Sequence, residues 1–244
     1  MERSDYVNDS LKLIQNTDGL TFGTDALLLA GYISGKKGRG CELGAGSGII
    51  SMLLAVREKI READALEIQE KYAELCKRNF EQNGLSERLH AQQADVRAFG
   101  ISGAYDTVYT NPPYMKADSG FPNEKDEKNI ARHEIEGDIY DFCRAAKRLL
   151  RFGGSFYAVY RPDRLTDLIH AMRECGLEPK RATFVHADTE SESSMVLIEA
   201  RSGGRSGMKL TCPFIIYSDK THKEYSDDMR YVDKEGSFPV RFGR

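Results

Sequence analysis

Two short stretches carry the residue types best suited to chemistry: Glu42-Leu43-Gly44-Ala45-Gly46-Ser47-Gly48 and Asn111-Pro112-Pro113-Tyr114. In the second, two consecutive prolines fix φ and remove two N–H donors, so the turn is rigid and presents carbonyls without competing donors. That arrangement suits an amine nucleophile whose lone pair is delocalised, as in an amide or the exocyclic N6 of adenine. If the Asn111 side-chain oxygen and the Pro112 carbonyl accept its two N–H bonds, the lone pair can be aimed at an electrophile as charge builds. Tyr114 can then stack on the face of an extruded base. Standing alone, the quartet reads as well as a tight turn, because Asn and Pro punctuate turns.

The first stretch supplies the other half of such a reaction. A strand that feeds a glycine-rich turn and then a helix sets backbone N–H groups and a partial positive charge beside a ligand. The dinucleotide fingerprint needs a third glycine at position 49, where Ile49 stands; here it comes one residue early, at Gly48. The pattern is therefore E-x-G-x-G-x-G, which fits S-adenosylmethionine (SAM), a ligand with a sulfonium, an ammonium and a carboxylate but no pyrophosphate. The expected cofactor contacts are Glu42 to the amino group, directly or through water, and the turn from Leu43 through Gly44, Ala45 and Gly46 to Gly48. Glu67, followed by Ile68, is placed to accept both ribose hydroxyls. Asp95 is placed to take the adenine amino group while the Val96 N–H meets a ring nitrogen. As isolated residues Glu67 and Asp95 read as surface carboxylates; their succession at strand ends makes them a ligand-binding edge.

These positions require a particular frame. Between about 40 and 200, strand-like runs (Cys41–Leu43, Ala63–Ile68, His90–Ala94, Asp106–Thr110, Ser155–Tyr160, Ala182–His186 and Met195–Ala200) alternate with stretches of helical period. The expected helices are Ile49–Glu58, Glu70–Gln82, Ile139–Phe152 and Arg164–Cys175. Asn83-Gly84 stops the second and Gly153-Gly154 the third. The last two strands are too close in sequence for a crossover helix and must pair as an antiparallel hairpin. The fold class is α/β, a seven-stranded, mostly parallel Rossmann-like sheet with an antiparallel C-terminal hairpin and helices on both faces. Segment 1–36 is expected to close over the cofactor, 37–200 to form the SAM-binding domain, and 201–244 to pack on it as an extension. Within the extension, 201–209 reads as a flexible basic loop and Leu210–Tyr217 as an added strand or packing segment.

A chain of 244 residues with 40% apolar and 30% charged residues can bury one large core. Its five cysteines lack any C-x-x-C or Cys/His spacing that could hold zinc, which points to reduced thiols in the cytoplasm and to no metal. No apolar run reaches the ~20 residues needed to span a membrane. The net charge of -3 argues against indiscriminate nucleic-acid binding. Local basic clusters at 36–39, 144–151, 180–181 and 201–209 read singly as solvated faces, and together they keep an RNA partner open.

With those residues in hand, the sequence resembles the SAM-dependent amino methyltransferases that carry (N/D)-P-P-(Y/F), and among them the bacterial family that methylates N6 of adenosine 37 in valine tRNA. The most specific part is Asp18-Gly-Leu-Thr-Phe-Gly-Thr-Asp-Ala-Leu-Leu-Leu-Ala30. By resemblance Phe22, Thr24 and Asp25 close over the methionyl end of SAM, although Thr24 also reads as a helix N-cap. The resemblance also includes Arg132-His133-Glu134, where Arg132 is expected to bind substrate. It implies a tRNA partner and S-adenosylhomocysteine as product, with no metal. Three alternatives stay open: methylation of a protein glutamine as in release-factor enzymes, methylation of a ribosomal RNA base, or a SAM-binding regulatory protein without turnover. Only about 40 residues precede the glycine motif, which favours the nucleic-acid branch over the release-factor one.

Overall fold

The computed structural model describes residues 2–8, 11–16, 22–35, 37–100, 102–112 and 137–243. The chain opens with an antiparallel hairpin, β1 (Glu2–Asn8) and β2 (Leu11–Asn16), and continues into α1 (Thr24–Tyr32). There follow β3 (Gly38–Leu43), α2 (Ile49–Val56), β4 (Ile60–Glu67), α3 (Glu70–Gln82), β5 (Leu89–Gln93) and β6 (Tyr105–Thr110). After the undescribed stretch come α4 (Ile139–Leu149), β7 (Leu150–Tyr160), α5 (Leu165–Glu174), β8 (Leu177–His186) and β9 (Ser193–Ser202). The extension contributes β10 (Lys209–Leu210), β11 (Phe214–Ile215) and α6 (Asp227–Glu235).

The central sheet runs β8-β9-β7-β6-β3-β4-β5, with β10 and β11 both pairing with β8 at one edge. All of these pairs are parallel except β9 with its two neighbours, so the terminal hairpin is the antiparallel element expected. Strand alternation sorts the core into two layers. Cys41, Leu43, Val108, Phe156 and Ala158 pack with α4 and α5, whereas Ala63, Ala65, Tyr109, Tyr157 and Val159 pack with α1, α2, α3 and the extension.

Three local expectations change. The third helix ends at Leu149, not at Gly153-Gly154: Leu150 is already extended, and the two glycines sit inside β7. There β7 bulges against β6, with Tyr105 opposite Leu150 but Thr107 opposite Ser155. Gly153 has φ +73, and a Cβ on Gly154 would lie 3.0 Å from the Arg151 carbonyl oxygen, so these glycines make the bulge and not a helix stop. The first strand is longer than its apolar residues suggested, because Gly38–Gly40 already pair with β4. The hairpin β1-β2 was not anticipated, although Leu11 and Leu13 are buried and Lys12 between them is exposed, the alternation of a half-buried strand.

The extension braces α1. A Cβ on Gly31 would stand 2.9 Å from Val232 of α6, and Tyr32 meets Phe238 edge-on at 5.4 Å. Buried Arg181 of β8 pairs with Glu199 at 3.1 Å and donates to the carbonyls of Tyr32 and Phe242 at 2.9 and 2.7 Å. At the C-terminal end of α1, the Lys59 ammonium donates to the carbonyls of Ala30, Gly31 and Ile33 at 2.7–2.9 Å, a cation closing the negative end of the helix.

Candidate active site

Parallel register fixes where the two motifs meet. Leu43 of β3 lies beside Thr110 of β6 and beside Leu66 of β4, and the Thr110 hydroxyl donates to the Leu43 carbonyl at 2.8 Å. Gly44 and Asn111 thus leave the sheet side by side, about 4.8 Å apart by strand spacing. The ends of β4 and β5, with Glu67 and Asp95, continue the same edge. This is the carboxyl edge at which open α/β sheets bind ligands.

The glycine turn is shaped by its neighbours. Gly44 and Ala45 donate to the Leu66 carbonyl at 2.9 Å, and Gly46 donates to Glu67 Oε2 at 3.0 Å. Gly48 starts α2 at φ +78, and a Cβ there would meet Cys76 Sγ at 2.5 Å and the Phe80 ring at 2.7 Å. Asn79 of α3, fully buried, donates to the Ser47 carbonyl at 2.9 Å and pairs with both backbone groups of Ile14. It therefore ties the N-terminal hairpin to the turn. Sequence reasoning missed Asn79, yet its signal was present as a polar residue on the apolar stripe of Tyr72, Leu75, Cys76 and Phe80.

The three strand-end carboxylates occupy different environments. Glu42 is 1% exposed and accepts from the Ser51 N–H at 3.1 Å and from the Ser51 hydroxyl, which also meets Tyr109 Oη at 2.8 Å. Burial pushes its pKa up to about 8, against the pull of the Ser51 hydrogen bonds and with a further push from the Glu67 charge. Its carboxyl group thus lies beneath the turn and does not open onto the strand-end edge, so a direct contact to a ligand amino group is not what the structure provides. Glu67 accepts from Gly46 and, through Oε1, from the Gln69 N–H at 2.9 Å. Asp95 is held below the usual carboxylate range by the Arg97 guanidinium, which reaches both of its oxygens at 2.7–2.9 Å. Ile68 is half-buried beside Glu67, and Val96 is buried with its carbonyl accepting from Arg148 at 2.7 Å.

On the other side of β3, α1 carries its first turn to Asn111. Thr24 is the first helical residue and not the N-cap; Gly23 holds that position and no side chain caps the helix. Asp25 accepts from Asn111 Nδ2 at 2.7 Å through Oδ2, and from the Ala26 N–H at 2.9 Å through Oδ1. Asn111 Oδ1 is buried and has no hydrogen-bond partner among the described residues. Phe22 is half-buried, with its N–H on the buried Gln15 side chain at 2.7 Å. Pro112 is buried. Pro113, Tyr114 and Arg132 lie outside the described residues.

Some residues of the basic clusters are engaged inside the fold, whereas Lys37, Arg144, Arg151, Arg205 and Lys209 are exposed. Arg148 donates to the carbonyls of Val96, Arg97 and Phe99, Arg151 pairs with Asp106, and Lys147 reaches Ser202. Lys180 closes the loop 205–207 through two carbonyls, and Arg181 is buried. Lys147, Arg148, Lys180 and Arg181 thus serve as structural cations, so the spacing of basic residues does not by itself locate a nucleic-acid surface.

A glycine turn with φ values of +69, +53 and +78, a succession of strand-end carboxylates and a buried amide oxygen without a partner among the described residues fit a cationic amino-acid nucleoside. They define a SAM-dependent methyltransferase. Residues 15–174, more than half of the chain, match the methyltransferase small domain. A tRNA1(Val) (adenine(37)-N6)-methyltransferase of Aliivibrio fischeri is 31% identical over 74% of this chain and 77% of its own. One of the same description from Phocaeicola vulgatus is 28% identical over 72% and 74%. A predicted O-methyltransferase of Agrobacterium tumefaciens shares the fold, with a TM-score of 0.71 and 23% identity, covering 88% of this chain and 98% of its own. The chain belongs to the methyltransferase small domain family and, within it, to the family of the tRNA1(Val) (adenine(37)-N6)-methyltransferases.

Proposed function

We propose that the protein transfers the methyl group of SAM to the exocyclic N6 of adenine in RNA, at adenosine 37 of valine tRNA. One observation carries the acceptor assignment: Asn111 Oδ1 is a buried acceptor without a partner among the described residues, at the end of the strand next to the glycine turn. A buried acceptor with no partner is costly, on the order of 1–3 kcal/mol, and an N–H of the substrate amine removes that cost. The names of the relatives supply the base and the tRNA.

When bound, SAM supplies a sulfonium methyl already activated for transfer, so the chain has to orient and not to deprotonate. Asn111 Oδ1 and the Pro112 carbonyl take the two N–H bonds of N6 and turn its lone pair out of the base plane towards the methyl. As the nitrogen gains positive charge, both contacts strengthen, which is where the rate acceleration arises. Tyr114 stacks on the base and Arg132 binds the RNA. On the cofactor side, the glycine turn leaves room for close approach of the methionyl end, together with Phe22 and Thr24. Glu67 takes the ribose hydroxyls, and Asp95 and Val96 the adenine.

The test is radiolabelled SAM with total tRNA, ribosomal RNA and a release factor, using wild type and Asn111→Ala. The reading expects label in valine tRNA as N6-methyladenosine, lost in the variant while SAM still binds. Label only in protein overturns the RNA acceptor, and near-normal turnover by Asn111→Ala overturns the role of the amide.

A further inference from the structure

The Asn111 amide has two orientations of nearly equal shape, and only one puts an acceptor towards the substrate. In the other, Nδ2 would face the N6 amine donor to donor and the orbital alignment would be lost. No neighbour on β6 or β3 selects between them. Selection comes from Asp25, 86 positions earlier, whose Oδ2 receives Asn111 Nδ2 at 2.7 Å. An ionised carboxylate only accepts, so the NH2 group must face Asp25 and the oxygen must face away from it. Oδ1 is the buried atom without a partner among the described residues.

We infer that Asp25 is a positioning residue, which locks the Asn111 amide with its oxygen towards the acceptor nitrogen and polarises it for that contact. The inference rests on the adenine reading of the site, since it assigns Asn111 Oδ1 to the amine. A charge-assisted hydrogen bond to Nδ2 draws electron density through the amide onto Oδ1, which makes it a stronger acceptor as the nitrogen turns cationic. The carboxylate is itself held. It sits in the first turn of α1, where the helix dipole favours negative charge, and its Oδ1 accepts from the Ala26 N–H at 2.9 Å. Gly23 makes room for it, since a Cβ there would stand 2.5 Å from Asp25 Oδ1. Asp25 thus has a role other than touching SAM, which is the contact the family resemblance suggested.

The experiment compares Asp25→Asn, Asn111→Asp and the exchange Asp25→Asn/Asn111→Asp. In Asp25→Asn the partner can donate or accept, so both Asn111 orientations are allowed, and kcat at saturating SAM should fall about tenfold to a hundredfold while SAM affinity stays within about twofold. In Asn111→Asp two carboxylates face each other. The exchange restores one donor to one carboxylate and leaves the other oxygen free, so it should recover at least tenfold over Asn111→Asp alone, a coupling that independent sites do not show. A second measurement needs no acceptor: the side-chain amide resonance of Asn111, identified by its loss in Asn111→Ala, should shift upfield in Asp25→Asn. The inference is overturned if Asp25→Asn weakens SAM binding while kcat is retained, which would make Asp25 a cofactor ligand. It also falls if the exchange is no better than Asn111→Asp, or if the amide resonance does not move. Failure of wild type to methylate tRNA would defeat the adenine reading alone, because the amide resonance decides the positioning role without it.

Discussion

At the end of β3, most contacts that shape the glycine turn come from the next β-α unit: the Leu66 carbonyl, the Glu67 carboxylate, and Cys76, Asn79 and Phe80 of α3, while Thr110 of β6 reaches the Leu43 carbonyl and Phe142 of α4 stands beside Gly44. At the end of β6, one strand away, the side chain that matters is held by Asp25, 86 positions earlier and on the far side of the sheet's chain path. The glycine turn is therefore held largely by one β-α unit, whereas the Asn111 side chain depends on where α1 sits. That helix is clamped at its other end by Lys59, and on its flank by Arg181, Val232 and Phe238. Residues of the C-terminal extension thus bear on the acceptor site through α1, without lying beside it.

The largest effect that tests this contrast is Asn111→Ala. Removing one transition-state contact of this type costs on the order of 10²–10³ in kcat, about 3–4 kcal/mol. Because the glycine turn is built without Asn111, SAM affinity should stay within a few-fold, measured by calorimetry beside the methylation assay. Loss of SAM binding in proportion to kcat would show that the two halves are a single unit.

The same contrast explains what the sequence made legible. The bounds of α3 could be read to the residue, because Glu70 opens its apolar stripe and Asn83-Gly84 closes it. The glycine turn and Glu67 were readable for the same reason, since their partners lie within one β-α unit. Three things were not legible: Asp25 as the partner of Asn111, Asn79 as the link to the hairpin, and the bulge at Gly153-Gly154. Each depends on which strands become neighbours, and local periodicity does not carry that. The basic residues around 144–151 misled in the opposite way: their spacing is that of a charged helix face, but Arg148 and Lys147 satisfy carbonyl and hydroxyl oxygens of other elements. α6 is absent from the sequence reading although its punctuation was there, in Ser226 as N-cap, Asp227 and Asp228 in the first turn, and Gly236 in the left-handed conformation at its end.

A smaller effect probes the cofactor half alone. Gly48→Ala forces a side chain into the left-handed region and against Cys76 and Phe80, which by the usual costs of such strain and overpacking removes about 2–3 kcal/mol of stability. Thermal unfolding should show that loss, with weaker SAM binding and, at saturating SAM, a kcat close to wild type. If stability is unchanged while SAM binding disappears, the glycine serves only ligand approach, and the packing of α2 on α3 is not what demands it.

The smallest effect separates Glu42 from Glu67, both of which the sequence offered as cofactor-binding carboxylates at strand ends. Burial holds Glu42 protonated up to about pH 8, whereas an unfolded glutamate titrates near 4.5. Between these values the folded chain keeps a proton that the unfolded chain has released. The contribution of Glu42 to stability is therefore fully present below about 4.5, declines as pH rises, and levels off above about 8, with a slope of at most about 1.4 kcal/mol per pH unit. Glu42→Gln keeps the shape and the acceptor for Ser51 without the titration, so its denaturant midpoint should vary less between pH 5 and 8 than that of wild type. An unchanged slope would mean that Glu42 is ionised in the folded chain, and the charge facing the glycine turn would then come from two carboxylates. A flattened slope leaves Glu67 as the charged partner of the turn, so a cationic ligand there would be matched by a single negative charge.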